Sequence, residues 1–208
     1  MKYEWKKQDK ALYLPAAEPV QIHVPAYNYF TLQGQGNPNQ PDFAEAVGVL
    51  YSLSYAVKML PKKGPAPEGY YEYTVFPLEG IWDLTEAGRC KAELDKDELV
   101  YTLMIRQPDF VTPELAAEVL EKVKQSKPHP LLHKAAFDNV EDGHSVQMLH
   151  IGPYDDEPGS FSRMEQYCAG QGLRRLSKLH REIYISDARR TQAEKLRTVL
   201  RFTVTQEV

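Results

Sequence analysis

Apolar and polar residues alternate through Val20-Gln21-Ile22-His23-Val24, the pattern of a half-buried strand that Pro25 interrupts. Extended chain resumes at Tyr29-Phe30-Thr31-Leu32 and runs into Gln33-Gly34-Gln35-Gly36-Asn37-Pro38, a loop whose glycines allow positive φ or close backbone approach. After Pro41 the period changes to that of a helix, with Phe43, Val47, Leu50, Ser54 and Val57 on one face and Tyr51 and Tyr55 projecting together beside them. Residues 61–69 are rich in Pro, Gly and Lys and predict a loop; residues 71–78, aromatic and β-branched, predict a strand. Residues 99–106 predict a strand covered on both faces. Thr112-Pro113 supplies a cap and a first-turn proline for a helix ending before Pro128.

The order then begins again. A strand over 145–151, a helix over 158–171 and strands over 179–186 and 196–205 repeat the plan of the first half, and Val20-Gln21 followed by Pro25 and Tyr27 echoes Val146-Gln147 followed by Pro153 and Tyr154. The pattern predicts an α+β fold, residues 1–208 forming one domain of two related halves, 18–111 and 145–208, joined by a helix and loop over 112–144. Two such halves would face one another across a cleft, the ordinary place for a ligand.

Composition narrows the function. At 208 residues, with 42% hydrophobic and 26% charged residues, the chain is long and apolar enough for a real core. A net charge of -4 gives no global positive field, which argues against nucleic acid as a direct partner. No apolar run is long enough for a bilayer span and the start lacks the apolar stretch of a signal peptide, so a cytoplasmic protein without membrane partners is expected. Cys90 and Cys168 have no metal-ligand spacing, and Cys168 falls on an apolar helical stripe; neither a metal nor another cofactor is expected.

Three segments carry candidate chemistry. In Leu179-His180-Arg181-Glu182-Ile183-Tyr184-Ile185, alternation sends His180, Glu182 and Tyr184 to one face, a carboxylate flanked by an imidazole and a phenol; a solvated sheet face would look the same from sequence. In Tyr154-Asp155-Asp156-Glu157-Pro158 the acids precede a helix, where the macrodipole alone would favour them, and Glu157 is the one carried toward the cleft. Glu79-Gly80-Ile81-Trp82 holds in the first half the place of 180–185 in the second, so Glu79 is expected to converge with Glu182, and Trp82 offers an indole to a flat ligand or to the core. The 13 tyrosines include Tyr51, Tyr55, Tyr71, Tyr101, Tyr154 and Tyr184 on elements that could line the middle.

These blocks also carry a family resemblance. Gly34-Gln35-Gly36-Asn37-Pro38, Leu50-Tyr51 with Tyr55 and Lys58, Pro77-Leu78-Glu79-Gly80-Ile81-Trp82, residues 104–112, His150-Ile151-Gly152-Pro153-Tyr154-Asp155-Asp156-Glu157 and His180-Arg181-Glu182-Ile183-Tyr184-Ile185-Ser186-Asp187 occur in the order seen in stand-alone GyrI-like proteins, related to effector-binding domains of multidrug-sensing regulators. The resemblance implies a tandem pair of α+β repeats with an antiparallel sheet around a hydrophobic, aromatic-lined cavity holding an acidic residue. It also implies small-molecule binding, of bulky aromatic compounds and cationic ones among them. Some members resemble cyclopropanoid cyclohydrolases, hydrolases that detoxify DNA-alkylating natural products such as yatakemycin. The glutamate of their His-x-Glu-Ile-Tyr block maps to Glu182 and the acid after Gly-Pro-Tyr-Asp-Asp to Glu157. Arg181 stands where the family often has a second His, and Tyr101 where it often has Trp, which would alter cavity shape. The implied mechanism has Glu182 as base on a water, Glu157 orienting it, Tyr154 or Tyr184 donating to the carbonyl oxygen, and Trp82, Tyr51, Tyr55 and Tyr71 holding the ligand. A non-catalytic multidrug-binding sensor or sequestering protein is the alternative, and a module docking on another protein is the third reading; oligomeric state is left open.

Overall fold

The computed structural model describes residues 2–207. In chain order the elements are α1 (Trp5–Gln8), α2 (Lys10–Tyr13), β1 (Val20–Val24), β2 (Tyr27–Gln35), α3 (Pro41–Lys58), α4 (Leu60–Lys63), β3 (Leu78–Leu84), α5 (Glu86–Arg89), β4 (Leu99–Arg106), α6 (Pro113–Ser126), β5 (Ala135–Val140), β6 (Gly143–Ile151), α7 (Glu157–Gly170), β7 (Leu173–Arg175), β8 (His180–Tyr184) and β9 (Arg197–Gln206). The paired strands described below are all antiparallel, giving an α+β fold. Among the described residues no helix is long and apolar enough to cross a membrane. The chain divides into two compact units, one of residues 1–4, 27–78 and 83–140, the other of residues 5–26, 79–82 and 141–208.

In the first unit β2 lies between β4 and β5, with Phe30 opposite both Ile105 and Phe137. Its Tyr29-Phe30-Thr31-Leu32 run is buried on both faces, which explains why it reads as continuous rather than alternating. Gly34 stands opposite Tyr101, and a Cβ there would run into the phenol ring; Gly36, at φ 102°, turns the chain toward α3. Pro41 opens α3, which buries Ala46, Val49, Leu50, Leu53 and Val57 at helical spacing. The Thr112 hydroxyl accepts from Leu115 N at 3.2 Å to cap α6, whose Ala116, Val119 and Val123 are buried.

Residues 71–77 differ from the sequence expectation. They form one bridge, Tyr3 to Tyr73, and the strand begins only at Leu78. Their aromatic residues build a cluster instead, with Tyr71 5.4 Å from Phe110 and Tyr73 6.5 Å from Phe76 between ring centres. The composition that favours a strand is here spent on packing, since β-propensity records burial as much as backbone preference.

In the second unit the strands run β1-β6-β9-β8 and then residues 79–82 of β3, with β7 paired farther along β9. Register assigns the faces. Val146, Met148, Leu200, Phe202 and Val204 form one face and pack with Met164 and Cys168 of α7 and with Leu173. The α7 stripe Glu157, Ser160, Met164 and Cys168 is the buried side of that helix.

The opposite face buries a polar row beside apolar Leu149, Val199 and Ile183. Gln147, Arg201 and Arg181 stand in one cross-strand row, with Glu79 beside them on β3. Arg181 reaches Glu79 Oε2 at 2.8 Å and Asp142 Oδ1 at 2.6 Å, and Arg201 reaches Asp142 Oδ2 at 2.9 Å. Residues of the α1–α2 segment cover this network: Gln147 Nε2 donates to Ala11 O at 2.6 Å, Arg201 to Leu12 O at 3.1 Å, and Tyr13 Oη to Glu79 Oε1 at 3.4 Å. The lysine-rich start of the sequence is therefore anchored by its carbonyls and by buried Trp5 and Tyr13.

Candidate functional site

Strand alternation in β8 puts His180, Glu182 and Tyr184 on the face that α7 covers. Across the β3 ladder Gly80 stands opposite Glu182 and Trp82 opposite His180, so the indole shares that face and the glycine leaves the space beside the carboxylate free of a side chain. Glu157, the first residue of α7, comes down on the same face. A single pattern, period 2 in β8 and β3 meeting period 3.6 in α7, brings two carboxyls, an imidazole, a phenol and an indole together.

Their hydrogen bonds form a directed chain. Trp82 Nε1 donates to Tyr184 Oη at 2.9 Å, and Tyr184 Oη donates to Glu182 Oε2 at 2.7 Å. His180 Nε2 lies 3.2 Å from Glu182 Oε1, while its Nδ1 faces Lys178 O at 3.3 Å, so both ring nitrogens meet acceptors. Glu157 also hydrogen-bonds Glu182. Only 6% of Glu157 and 9% of Glu182 is exposed, too little for solvent to separate two negative charges. Burial, then the Glu182 charge and their hydrogen bond, hold the Glu157 carboxyl far above the usual carboxylate range. Glu157 therefore keeps its proton at neutral pH. Glu157 Oε1 has no hydrogen-bond partner among the described residues.

Tyr154 flanks the pair, its ring edge-on to Tyr184 at 6.0 Å. Burial and the neighbouring Glu182, Glu157 and Asp187 charges push its phenol up to about 12. Desolvation and Glu182 likewise raise Tyr184 well above the ordinary phenol value. Both therefore remain proton donors across the physiological range. Phe161 of α7 closes over His180 at 4.7 Å.

Glu79 does not converge with Glu182. Its register partner is Ile183, which places it on the opposite face of the sheet, 1% exposed and bound to Arg181 and Tyr13. One residue of offset along a strand reverses the face, so equivalent places in two halves do not guarantee a shared side. Glu79 belongs to the buried ion network, whose members Asp142 and Arg201 the sequence offered no reason to single out. Burial raises the Glu79 carboxyl against the pull of Arg181 and Arg201; at Asp142 burial acts the same way, but the two guanidiniums prevail and hold it below the usual range.

The other candidate tyrosines, Tyr51, Tyr55, Tyr71 and Tyr101, lie in the first unit. Tyr51 and Tyr55 pair on α3 at 6.3 Å, Tyr55 being 51% exposed. Tyr71 packs in the aromatic cluster, and Tyr101 is buried edge-on to Phe43 at 5.3 Å. Among the described residues no group of three or more His, Cys, Asp or Glu side chains is arranged to hold a metal ion.

No curated protein matches the chain. Among solved structures it is similar to a hydrolase from Listeria innocua, at 32% identity over 98% of this chain and 100% of that one with a TM-score of 0.88. A second hydrolase from Listeria innocua is 34% identical, over 99% and 100%, with a TM-score of 0.90. The EcmrR C-terminal domain, 16% identical over 91% of this chain and 98% of that one with a TM-score of 0.52, shares the fold. Residues 17–204 match the GyrI-like small molecule binding domain, and the chain belongs to that family.

Proposed function

We propose that this protein binds bulky aromatic small molecules, cationic ones among them, at the face formed by Glu157, Glu182, Trp82 and Tyr184, and hydrolyses the strained ring of cyclopropanoid genotoxins. The observation that carries this reading is the buried carboxyl pair, Glu157 holding its proton and Glu182 accepting from Tyr184, beside an indole and two phenols that hold their protons. An acid pair with separated roles is the arrangement proton transfer to and from water requires. The similarity to two Listeria innocua hydrolases over nearly the whole chain supports hydrolysis.

In this reading Glu182 takes a proton as a water oxygen bonds to the cyclopropane methylene and the strained carbon–carbon bond breaks. The released electron pair moves into the conjugated carbonyl, whose oxygen takes a proton and becomes a phenol within the same ring-opened product. Tyr154 is the donor to that oxygen, because the Tyr184 proton is already committed to Glu182. Glu157 Oε1, without a protein partner, orients the water. Trp82 supplies a flat apolar surface, and His180 keeps Glu182 in place.

One observation favours the alternative of a sequestering or sensing protein: Glu182 already accepts from Tyr184, His180 and Glu157, which suits a fixed negative charge for a cation. Incubation with a duocarmycin-type cyclopropane followed by mass spectrometry separates the two. Addition of one water by the wild type, lost in Glu182→Gln, is the expected result. Tight binding without that mass gain would leave the sequestering reading, and absence of both would overturn the assignment of this face.

A further inference from the structure

The second unit carries a nucleophile and base pair that the carboxyl chemistry does not use. His150 on β6 and Ser160 on α7 are both buried, and His150 Nδ1 lies 2.9 Å from Ser160 Oγ. The other ring nitrogen, Nε2, lies 3.0 Å from the carbonyl oxygen of Pro153. A carbonyl only accepts, so Nε2 carries the imidazole proton and Nδ1 presents its lone pair to the serine. That is the tautomer a general base needs, with nucleophile, base and orienting group at hydrogen-bond distance in sequence.

The pair opens onto a groove. His150 and Ser160 line a cavity of about 410 Å³ together with Met148, Asp156 and Arg163, a size within the range of small-ligand sites. Gly159 borders it, and a Cβ there would meet nothing within 4 Å, so the approach beside Ser160 is unobstructed. The groove is distinct from the carboxyl pair: His150 and Tyr184 each stand opposite Thr198 of β9, two strands or roughly 10 Å apart.

We propose that Ser160 and His150 form a second reactive site that transfers acyl groups from small apolar or aryl esters to water. Ser160 Oγ bonds to the ester carbonyl carbon while its proton passes to His150 Nδ1. The bond to the alcohol oxygen then breaks, and the departing alkoxide takes that proton. Water hydrolyses the acyl-serine by the same steps, His150 accepting the water proton and returning it to Ser160 Oγ. The Pro153 carbonyl steadies the imidazolium through Nε2–H, as a carboxylate does in a full triad but without its charge, so deacylation is slow and the acyl-serine accumulates. Met148, on the same face of β6 as His150, favours an apolar acyl or aryl group.

The test uses the intact protein with p-nitrophenyl acetate and, separately, an alkyl fluorophosphonate. We expect a burst of about one p-nitrophenolate per chain, and a phosphonyl adduct mapped by peptide mass spectrometry to Ser160. His150→Gln should slow the burst on the order of 100-fold and Ser160→Ala abolish both signals. An unlabelled wild type, an adduct elsewhere, or a burst that persists in a folded Ser160→Ala would overturn the proposal. If Ser160→Ala fails to fold, the position of the wild-type adduct decides alone. Neither probe contains a cyclopropane, so this result and the fate of the carboxyl assignment are independent.

Discussion

At the scale of single residues the carboxyl pair makes a quantitative prediction. Glu157 binds its proton more tightly in the folded protein than in the unfolded chain, where a glutamate titrates near about 4.3. Between that value and its raised folded value the native state holds the extra proton, so the stability this residue contributes declines as pH rises, by at most about 1.4 kcal/mol per pH unit. Glu157→Gln keeps a donor toward Glu182 and removes the titration. The variant should therefore gain stability relative to the wild type between pH 5 and pH 8 in urea titrations, and a pH-independent difference would contradict the retained proton. Gly34 gives a second case. Its missing side chain is where the buried Tyr101 ring lies, so Gly34→Ala should lower stability by about 1–3 kcal/mol in the same measurement.

At the scale of elements, α7 combines core and chemistry on one stripe. Met164 is fully buried against Met148 and Leu200, about two turns from Glu157 on the same side. Met164→Ala should cost about 2–5 kcal/mol and loosen the seat of Glu157, lowering ligand affinity as well as melting temperature. The cap at Thr112 lies far from that stripe in sequence, and Thr112→Ala should cost about 1 kcal/mol in thermal unfolding, with no change in affinity. The elements also explain what could be read in advance. Helices α3 and α6 and strands β4, β6, β8 and β9 carry strong periods or explicit caps and were legible. The β8 face was legible too, because alternation alone relates His180, Glu182 and Tyr184. By contrast β5, Ala135-Ala136-Phe137-Asp138-Asn139-Val140, has mostly small or polar side chains and becomes a strand only through its pairing with β2. The face of Glu79 depended on a register that no local pattern records. The link between His150 and Ser160 joins different elements, so neither residue stands out by itself.

At the scale of the whole molecule, opposing titrations shape stability. Asp142 is held below the usual range by Arg181 and Arg201, so its contribution is complete above about pH 4 and is lost as pH falls through its depressed folded value. Glu157 and Glu79 are raised and act in the other direction, their contribution falling as pH climbs above about 4.3. Melting temperature should peak on the acid side of neutrality, near about pH 5, in scans from pH 3 to pH 9; a plateau extending to pH 9 would mean that these burials do not govern the titration. The anchoring of the first helices has a temporal consequence. Arg201 bonds Leu12, 189 positions earlier in the chain, and Gln147 bonds Ala11, 136 positions earlier. Pairings of such separation form slowly because a long loop must close first. On a ribosome, residues 5–26 emerge long before β9 exists, and the Ala11 and Leu12 carbonyls wait for Gln147 and Arg201 until β6 and β9 are made.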